Sequence, residues 1–345
     1  RRWLDALTED VADLHRAGKD VVIVSSGAVA LGRRELGLSP SKAKLEDNQA
    51  AAAAGQILLA HAYMDVLRRV DIKVAQILLT LDDSESRRRY LNATRTLTTL
   101  LRARVVPVVN ENDTVATQEL RYGDNDRLAG RVAQMISADV LVLLSDIDGL
   151  YSADPQVDPT AAHIPEVETI GPEIFAMAGG PGSAHGSGGM RTKLEAARIA
   201  VGAGCRMVIT SGRVERPISA LKNGARATWF LASATPAAAR KQWIAGSLSA
   251  KGKIRVDDGA AKALASGRSL LPAGVTAVEG RFERGDAVRV VDGVGRELAR
   301  GLIGYSHDEA AAIAGKRSEH IAEILGYRGR DEMIHRDDLV LTQSR

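Results

Sequence analysis

Along the first two thirds of the chain, short hydrophobic runs alternate with longer segments in which hydrophobic and polar residues are mixed. Short runs of aliphatic and β-branched residues are typical of buried strands, and these runs lie at 21–24, 73–79, 105–109 and 140–144. Longer segments with apolar residues three and four positions apart separate the runs and predict helices, the longest of them at 46–69. Strands that alternate with helices imply βαβ units. The pattern therefore predicts an α/β fold with a mostly parallel sheet.

The pattern changes near residue 251, where short alternating segments begin and Gly and Asp turns separate them. The strands predicted there lie at 252–256, 274–278, 286–291 and 297–304, with one helix at 258–265. This arrangement predicts a small mixed β barrel or sandwich. We therefore expect an α/β domain at 1–235, a linker at 236–250 and a second domain at 251–338.

Polar residues follow the predicted strand at 105–109 directly, in the sequence Asn-Glu-Asn-Asp at 110–113. A second polar group, Gly-Asp-Asn-Asp at 123–126, precedes a predicted helix. Open α/β sheets bind ligands outside the carboxyl ends of their strands. These carboxylates and amides could bind a substrate ammonium group or orient cations around a phosphoryl transfer. The alternative is a solvated loop with a helix N-cap, since Asp and Asn are favoured capping residues.

Two other turns lead into predicted helices. The turn at 25–28, Ser-Ser-Gly-Ala, follows the first predicted strand and could offer helix N–H groups to an anion, although ordinary βα loops look alike. The glycine-rich segment at 179–189 runs into Met190 and, in the first helical turn, Lys193. Glycines allow close backbone approach and the lysine adds a positive charge, which suits a polyphosphate. The segment is not a Walker A motif, and a flexible linker is the alternative.

The composition of the chain disfavours several classes of function. The 345 residues carry a formal net charge of only +3, which gives no electrostatic case for nucleic acid. The single cysteine, Cys205, excludes an internal disulfide and is expected to be buried and inert. The seven histidines form no HxxxH or HExxH pair, which disfavours a zinc enzyme. No run approaches the length of a membrane span and no secretory signal opens the chain, so we expect a cytoplasmic protein.

Five motifs in a fixed order carry a family resemblance. They lie at 24–28 (VSSGA), 110–113 (NEND), 123–126 (GDND), 148–155 (DGLY with Asp154-Pro155) and 188–193 (GGMRTK). With the order of the domains, they resemble the glutamate kinase branch of the amino acid kinase family, and the part from 251 resembles a PUA domain. The resemblance implies an amino acid kinase-like three-layer αβα sandwich followed by a small mixed β, PUA-like domain.

The same resemblance implies an activity and a site. The implied reaction is ATP-dependent phosphorylation of the γ-carboxylate of L-glutamate to L-glutamyl 5-phosphate, the first step of proline biosynthesis. Three residues are implied to bind glutamate, Ser26, Asp113 and Asn125, with Asp113 on the substrate ammonium. Lys193 and Asp126 are implied as catalytic. The implied nucleotide-binding residues are Ser145, Asp146, Ser187, Gly188, Gly189, Met190, Arg191, Thr192 and Lys193. Mg²⁺ is expected to be bound mainly by oxygen atoms of ATP, and the resemblance indicates no firm protein ligand for it.

The resemblance also implies proline as a feedback inhibitor and a homo-oligomer. Two alternatives stay open, namely a related kinase acting on N-acetylglutamate, aspartate, carbamate or UMP, and RNA binding through the PUA-like domain. Aromatic residues make up only 3% of the chain, and the basic residues after 251 are interspersed with acids, which disfavours nucleic acid. The family that the chain resembles begins with a strand that carries a lysine and a Gly/Ser turn, and the resemblance implies such a strand here. We expect that strand ahead of residue 1, because without it a central sheet position is unpaired; an impaired chain is the alternative.

Overall fold

The chain divides into two compact units, Arg1–Pro236 and Ala237–Arg345. The structure is a computed structural model that describes residues 2–39, 44–115, 125–178, 189–246 and 249–342. The segment expected to be a linker at 236–250 differs from that expectation. Pro236–Gly246 forms a helix, and its Ile244 is fully buried.

Each of the four apolar runs predicted as strands between 21 and 144 contains or overlaps a strand, and helices separate these strands. The helices are α1 (Arg2–Arg16), α2 (Ala28–Leu36), α3 (Leu45–Arg68), α4 (Leu81–Glu85), α5 (Arg87–Arg102), α6 (Asn125–Ile136), α7 (Pro172–Met177), α8 (Met190–Gly202), α9 (Pro217–Lys222), α10 (Pro236–Gly246), α11 (Asp258–Ala265), α12 (His307–Ile313) and α13 (Ile321–Leu325). The strands are β1 (Ile23–Val24), β2 (Val74–Leu79), β3 (Val106–Glu111), β4 (Val140–Ser145), β5 (Leu150–Tyr151), β6 (His163–Ile164), β7 (Glu166–Val167), β8 (Arg206–Ser211), β9 (Ala227–Phe230), β10 (Gly252–Val256), β11 (Val275–Gly280), β12 (Ala287–Val291), β13 (Glu297–Leu302) and β14 (Leu339–Leu341).

The N-terminal unit confirms the α/β class with mostly parallel pairing, but its described strands form two main sheets. One has the order β1-β3-β2 and is parallel throughout. The other has the order β4-β8-β9-β7, in which only the β8–β9 pair is antiparallel. The run at 140–144, expected to be a buried strand, forms β4 at an edge of its sheet, where Leu143 is buried and Val140 is 36% exposed.

Helices α2 and α3 pack with their backbones in direct contact. A Cβ placed on Gly32 would lie 1.7 Å from the carbonyl oxygen of Ala51, and one on Gly55 would lie 1.7 Å from that of Ala28. The crossing therefore requires glycine at both positions. By length and composition alone, α3 is apolar enough to span a membrane, unlike our expectation for the chain. One face of the helix packs into the unit through buried residues that include Val66 and Leu67, whereas Ile57 on α3 is 72% exposed.

The C-terminal unit confirms the predicted mixed sheet. Its strands have the order β11-β10-β12-β13-β14, and only β10 and β12 pair in parallel. Sequence reasoning missed α12 and the three-residue strand β14. A signal for α12 was present, because Ser306 and Glu309 form a capping box at its start.

Candidate active site

The carboxyl ends of β1 and β3 lie side by side, since Val24 pairs with Val109. β3 continues beyond its apolar residues, so Asn110 and Glu111 are strand residues with 4% and 6% exposure. A solvated loop at this point is therefore excluded for these two residues. Asp113 follows in the turn after β3 and is half-buried.

Asn125, the first residue of α6, connects the two strand ends. Its Nδ2 donates to the carbonyl oxygen of Ser25 at 2.7 Å and to Oδ1 of Asn110 at 2.9 Å. The side chain therefore connects two segments that lie 100 and 15 residues before Asn125 in the sequence. Ser26, next to one of these acceptors, is exposed. The structure thus brings Asn125 to the segment that carries Ser26 and to the strand that ends before Asp113.

Asp126, the next residue, connects α6 to the start of α8. Its Oδ2 lies 2.7 Å from Nζ of Lys193, and the two side chains are only 17% and 14% exposed. Thr192 donates to the carbonyl oxygen of Gly189 at 2.9 Å. Gly130 of α6 allows close packing with α8, because a Cβ there would lie 3.0 Å from the carbonyl oxygen of Ala196. Consecutive residues of α6 therefore contact the strand ends on one side and the lysine on the other.

Two residues of α3, Tyr63 and Gln56, contact the residues at the ends of β1 and β3. The sequence analysis selected neither of them. The hydroxyls of Tyr63 and Ser25 are 3.0 Å apart, and burial raises the pKa of Tyr63. Gln56, which is 5% exposed, donates from Nε2 to the carbonyl oxygen of Glu111 at 3.0 Å. Neither residue stands out in an alanine-rich helical segment, because the role of each depends on a contact distant in sequence.

A cleft of about 420 Å³ opens at the ends of β4 and β8, which pair in parallel. Its lining residues are Asp146, Ile147, Asp148, Thr210, Ser211, Val214, Ala225 and Arg226. Ser145 is buried beside it, and its hydroxyl donates to Asp146 at 3.1 Å. The lining therefore includes a predicted nucleotide residue, Asp146. It also includes residues after β8 that sequence reasoning did not select.

Other predicted site residues stand apart or lie outside the described part of the chain. Arg191 is 58% exposed and faces Glu195, with 3.7 Å between Nε and Oε1. Met190 begins α8 and is half-buried. The predictions for Ser187 and Gly188, together with the Gly-Asp pair at 123–124, fall outside the described residues.

The described ranges gather no group of three or more His, Cys, Asp and Glu side chains able to hold a metal ion. In the pair at the centre of the site, the Asp126 carboxylate already binds the Lys193 ammonium. The donor set there does not fit a Mg²⁺ site made by protein side chains alone. Any magnesium would need most of its oxygen ligands from elsewhere, such as phosphates.

The fold and site define the class of the protein. The sequence model of the amino acid kinase family matches residues 1–211, and that of the PUA domain matches residues 252–325. The chain belongs to the amino acid kinase family.

Three relatives named glutamate 5-kinase match almost the whole chain. The chain is 63% identical over 341 residues to one from Paramagnetospirillum magneticum, covering 99% of this chain and 92% of that protein. It is 61% identical to one from Rhodospirillum rubrum, covering 98% and 90%. It is 57% identical to one from Rhizobium rhizogenes, covering 100% and 88%.

Proposed function

We propose that this chain transfers the γ-phosphoryl group of ATP to the γ-carboxylate of L-glutamate. The products are L-glutamyl 5-phosphate and ADP, and the reaction is the first step of proline biosynthesis. One observation carries the proposal. Asn125 binds the two strand ends expected to hold the acceptor, while the adjacent Asp126 binds the lysine expected at the phosphates. The name shared by the relatives agrees with this reaction.

On the acceptor side, Ser26, Asp113 and Asn125 bind glutamate. Asp113 receives the substrate ammonium, because a carboxylate in the turn after β3 can form a charge-assisted hydrogen bond with it. Asn125 keeps the two strand ends together. This arrangement distinguishes glutamate from N-acetylglutamate, whose acetylated amine offers no cation.

For the transfer itself, an oxygen of the γ-carboxylate attacks the γ-phosphorus of ATP. A new O–P bond forms, the bond from phosphorus to the β,γ-bridging oxygen breaks, and ADP leaves with that electron pair. The nucleophile is already an anion, so no general base is needed. Lys193 neutralises charge on the transferred phosphoryl group. Asp126 acts through Lys193 by holding its ammonium in position.

On the nucleotide side, Ser145 and Asp146 lie at the cleft, and the segment from 187 to 193 binds the phosphates. The start of α8 places Thr192 and Lys193 at the end of this segment. Mg²⁺ would accompany ATP and supply charge neutralisation on phosphate oxygens. We expect a cytoplasmic homo-oligomer that proline inhibits and that binds neither nucleic acid nor membranes.

Trapping the acyl phosphate tests the proposal. Full-length protein is incubated with ATP, Mg²⁺, L-glutamate and hydroxylamine, and the γ-glutamyl hydroxamate is measured. We expect hydroxamate that requires both ATP and glutamate, with far less from N-acetylglutamate or aspartate. Absence of ATP-dependent hydroxamate from folded protein would contradict the reaction, and a preference for another carboxylate would contradict the substrate.

A further inference from the structure

Helix α1 contacts the segment between β8 and α9, residues 212–216, which we call the 212–216 loop. Near one end of the helix, Nε1 of Trp3 donates to the carbonyl oxygen of Gly212 at 2.6 Å. Two turns further on, the Asp10 carboxylate accepts from the N–H of Ile218 at 2.7 Å and from that of Ser219 at 3.2 Å. One helix therefore holds both ends of this loop.

The 212–216 loop borders the cleft. Val214 lies in its lining, and Ser211 lines the cleft directly before the loop. On the side away from α1, the N–H of Gly212 donates to the carbonyl oxygen of Ser145 at 2.7 Å. Arg213 in the loop faces Asp146, with 3.9 Å between Nη2 and Oδ2. The loop thus lies between α1 and the strand that carries the predicted nucleotide residues.

The Asp10 carboxylate binds backbone N–H groups of the segment that follows the loop. Its side chain is fully buried, and a buried carboxylate is tolerated only where hydrogen bonds and cations satisfy it. Besides the two N–H groups, it accepts from the hydroxyl of Ser219 and from Nε of Arg216 at 3.3 Å. Arg216 has φ of 51°, the left-handed conformation that only surrounding contacts maintain in a non-glycine residue. Asp10 supplies such contacts on both sides of Pro217.

We propose that Asp10 and Trp3 are positioning residues, which hold the 212–216 loop in place and thereby determine the affinity for ATP. This deepens the proposed function, since it takes the cleft to be the ATP site. Neither side chain lines the cleft, so both act through the loop. Loosening the loop lowers ATP affinity and leaves the glutamate side unchanged, because the acceptor residues lie on other segments.

The test compares Asp10→Asn and Trp3→Phe with the wild type. Asp10→Asn removes the charge, and Trp3→Phe removes one N–H donor. Trp3→Phe removes one neutral hydrogen bond, so we expect KM for ATP to rise roughly three- to tenfold, whereas Asp10→Asn weakens hydrogen bonds to a charged group and should raise it roughly tenfold or more. KM for glutamate and kcat should stay within about twofold, a split that general destabilisation does not produce. Asp5→Asn is the matched control, because Asp5 lies on the same helix but pairs with Arg69, at 3.2 Å.

ATP binding measured by calorimetry makes the result independent of turnover, and thermal unfolding checks each variant. If Asp10→Asn does not fold, Ser219→Ala replaces it, since it removes one donor to Asp10 and keeps the carboxylate. Unchanged ATP affinity in folded variants, or equal rises in both KM values, overturns the positioning role. A wild type that binds ATP without forming hydroxamate overturns the proposed function alone, whereas one that does not bind ATP overturns both.

Discussion

Nζ of Lys193 lies 2.7 Å from Oδ2 of Asp126, and both side chains are more than four fifths buried. The two residues are 67 positions apart, on α8 and α6. The carboxylate thus holds the lysine ammonium in position, which reduces the reorganisation that charge stabilisation would otherwise require.

Replacing this lysine should impair the chemical step most. For Lys193→Met we expect kcat to fall roughly 100- to 1,000-fold, the loss typical of a preorganised charge contact. KM for glutamate should change little. Asp126→Asn keeps the lysine but loosens it, so its loss of kcat should be smaller. Steady-state hydroxamate kinetics measure both, and a Lys193→Met enzyme with wild-type kcat would contradict the assigned role.

Asp113→Ala tests the contact with the substrate ammonium. Loss of a charge-assisted hydrogen bond costs about 1.5–3 kcal/mol, so KM for glutamate should rise roughly 10- to 100-fold. Glutarate, which lacks the ammonium group, is the matched control substrate. The wild type and the Asp113→Ala variant should both use it poorly and to the same extent. An unchanged KM for glutamate would rule out this role of Asp113.

Asn125 should matter for both stability and substrate binding. Asn125→Ala removes two partly buried hydrogen bonds and should lower the free energy of unfolding by about 1–3 kcal/mol. Asn125→Asp should be worse, because it points a carboxylate oxygen at the two acceptors, Ser25 O and Asn110 Oδ1. Urea unfolding measures the order, with the exposed Asn223→Ala as control. Equal stability of the Asp and Ala variants would contradict the described geometry.

The crossing of α2 and α3 predicts a strong effect of a single methyl group. Gly55→Ala places a Cβ where the carbonyl oxygen of Ala28 lies, so the helices must separate. We expect a loss of about 1–3 kcal/mol or more in the free energy of unfolding, as for overpacked cores. Gly202→Ala, with nothing within 4 Å of the added Cβ, should be near neutral. Similar thermal unfolding of the two variants would be the contrary result.

Cys205 predicts a dependence of stability on alkaline pH. Burial raises the pKa of its thiol to about 12 from an ordinary value of 9.0. Between these values the unfolded chain loses the thiol proton and the folded chain keeps it, so stability falls as pH rises above about 9. Cys205→Ala should show a shallower fall in urea unfolding between pH 8 and 10.5. The native thiol should also resist a thiol reagent at pH 8, unlike the unfolded one.

Some residues of the candidate site could be selected from the sequence alone. Asn125 and Asp126 could be selected because a polar group precedes a helix shortly after a buried strand, and Lys193 because it follows a glycine-rich segment in the first turn of a helix. Their roles came from the family resemblance. The burial of Asn110 and Glu111 could not be predicted, because it depends on a strand that continues past its apolar residues. Local polarity alone indicated a loop there.

The residues that support the site could not be selected for a different reason. Tyr63, Gln56 and Asp10 lie within ordinary helical patterns, and each contacts a group from a segment distant in sequence. Hydrophobic periodicity identifies the helix face on which a residue lies, but not the atom that it meets. Likewise, the hydrophobic pattern did not indicate that Val140, the first residue of β4, is 36% exposed while Leu143 on the same strand is 5% exposed.

The backbone contact at Gly32 and Gly55 limits how this enzyme can diversify. Tyr63 and Gln56 extend from the same helix as Gly55 and contact the residues at the ends of β1 and β3. Any enlargement at the helix crossing would displace these supports together. New acceptor preferences should therefore arise more readily from changes in the turns after β1 and β3 than from substitutions at the two glycines, which the close backbone contact disfavours.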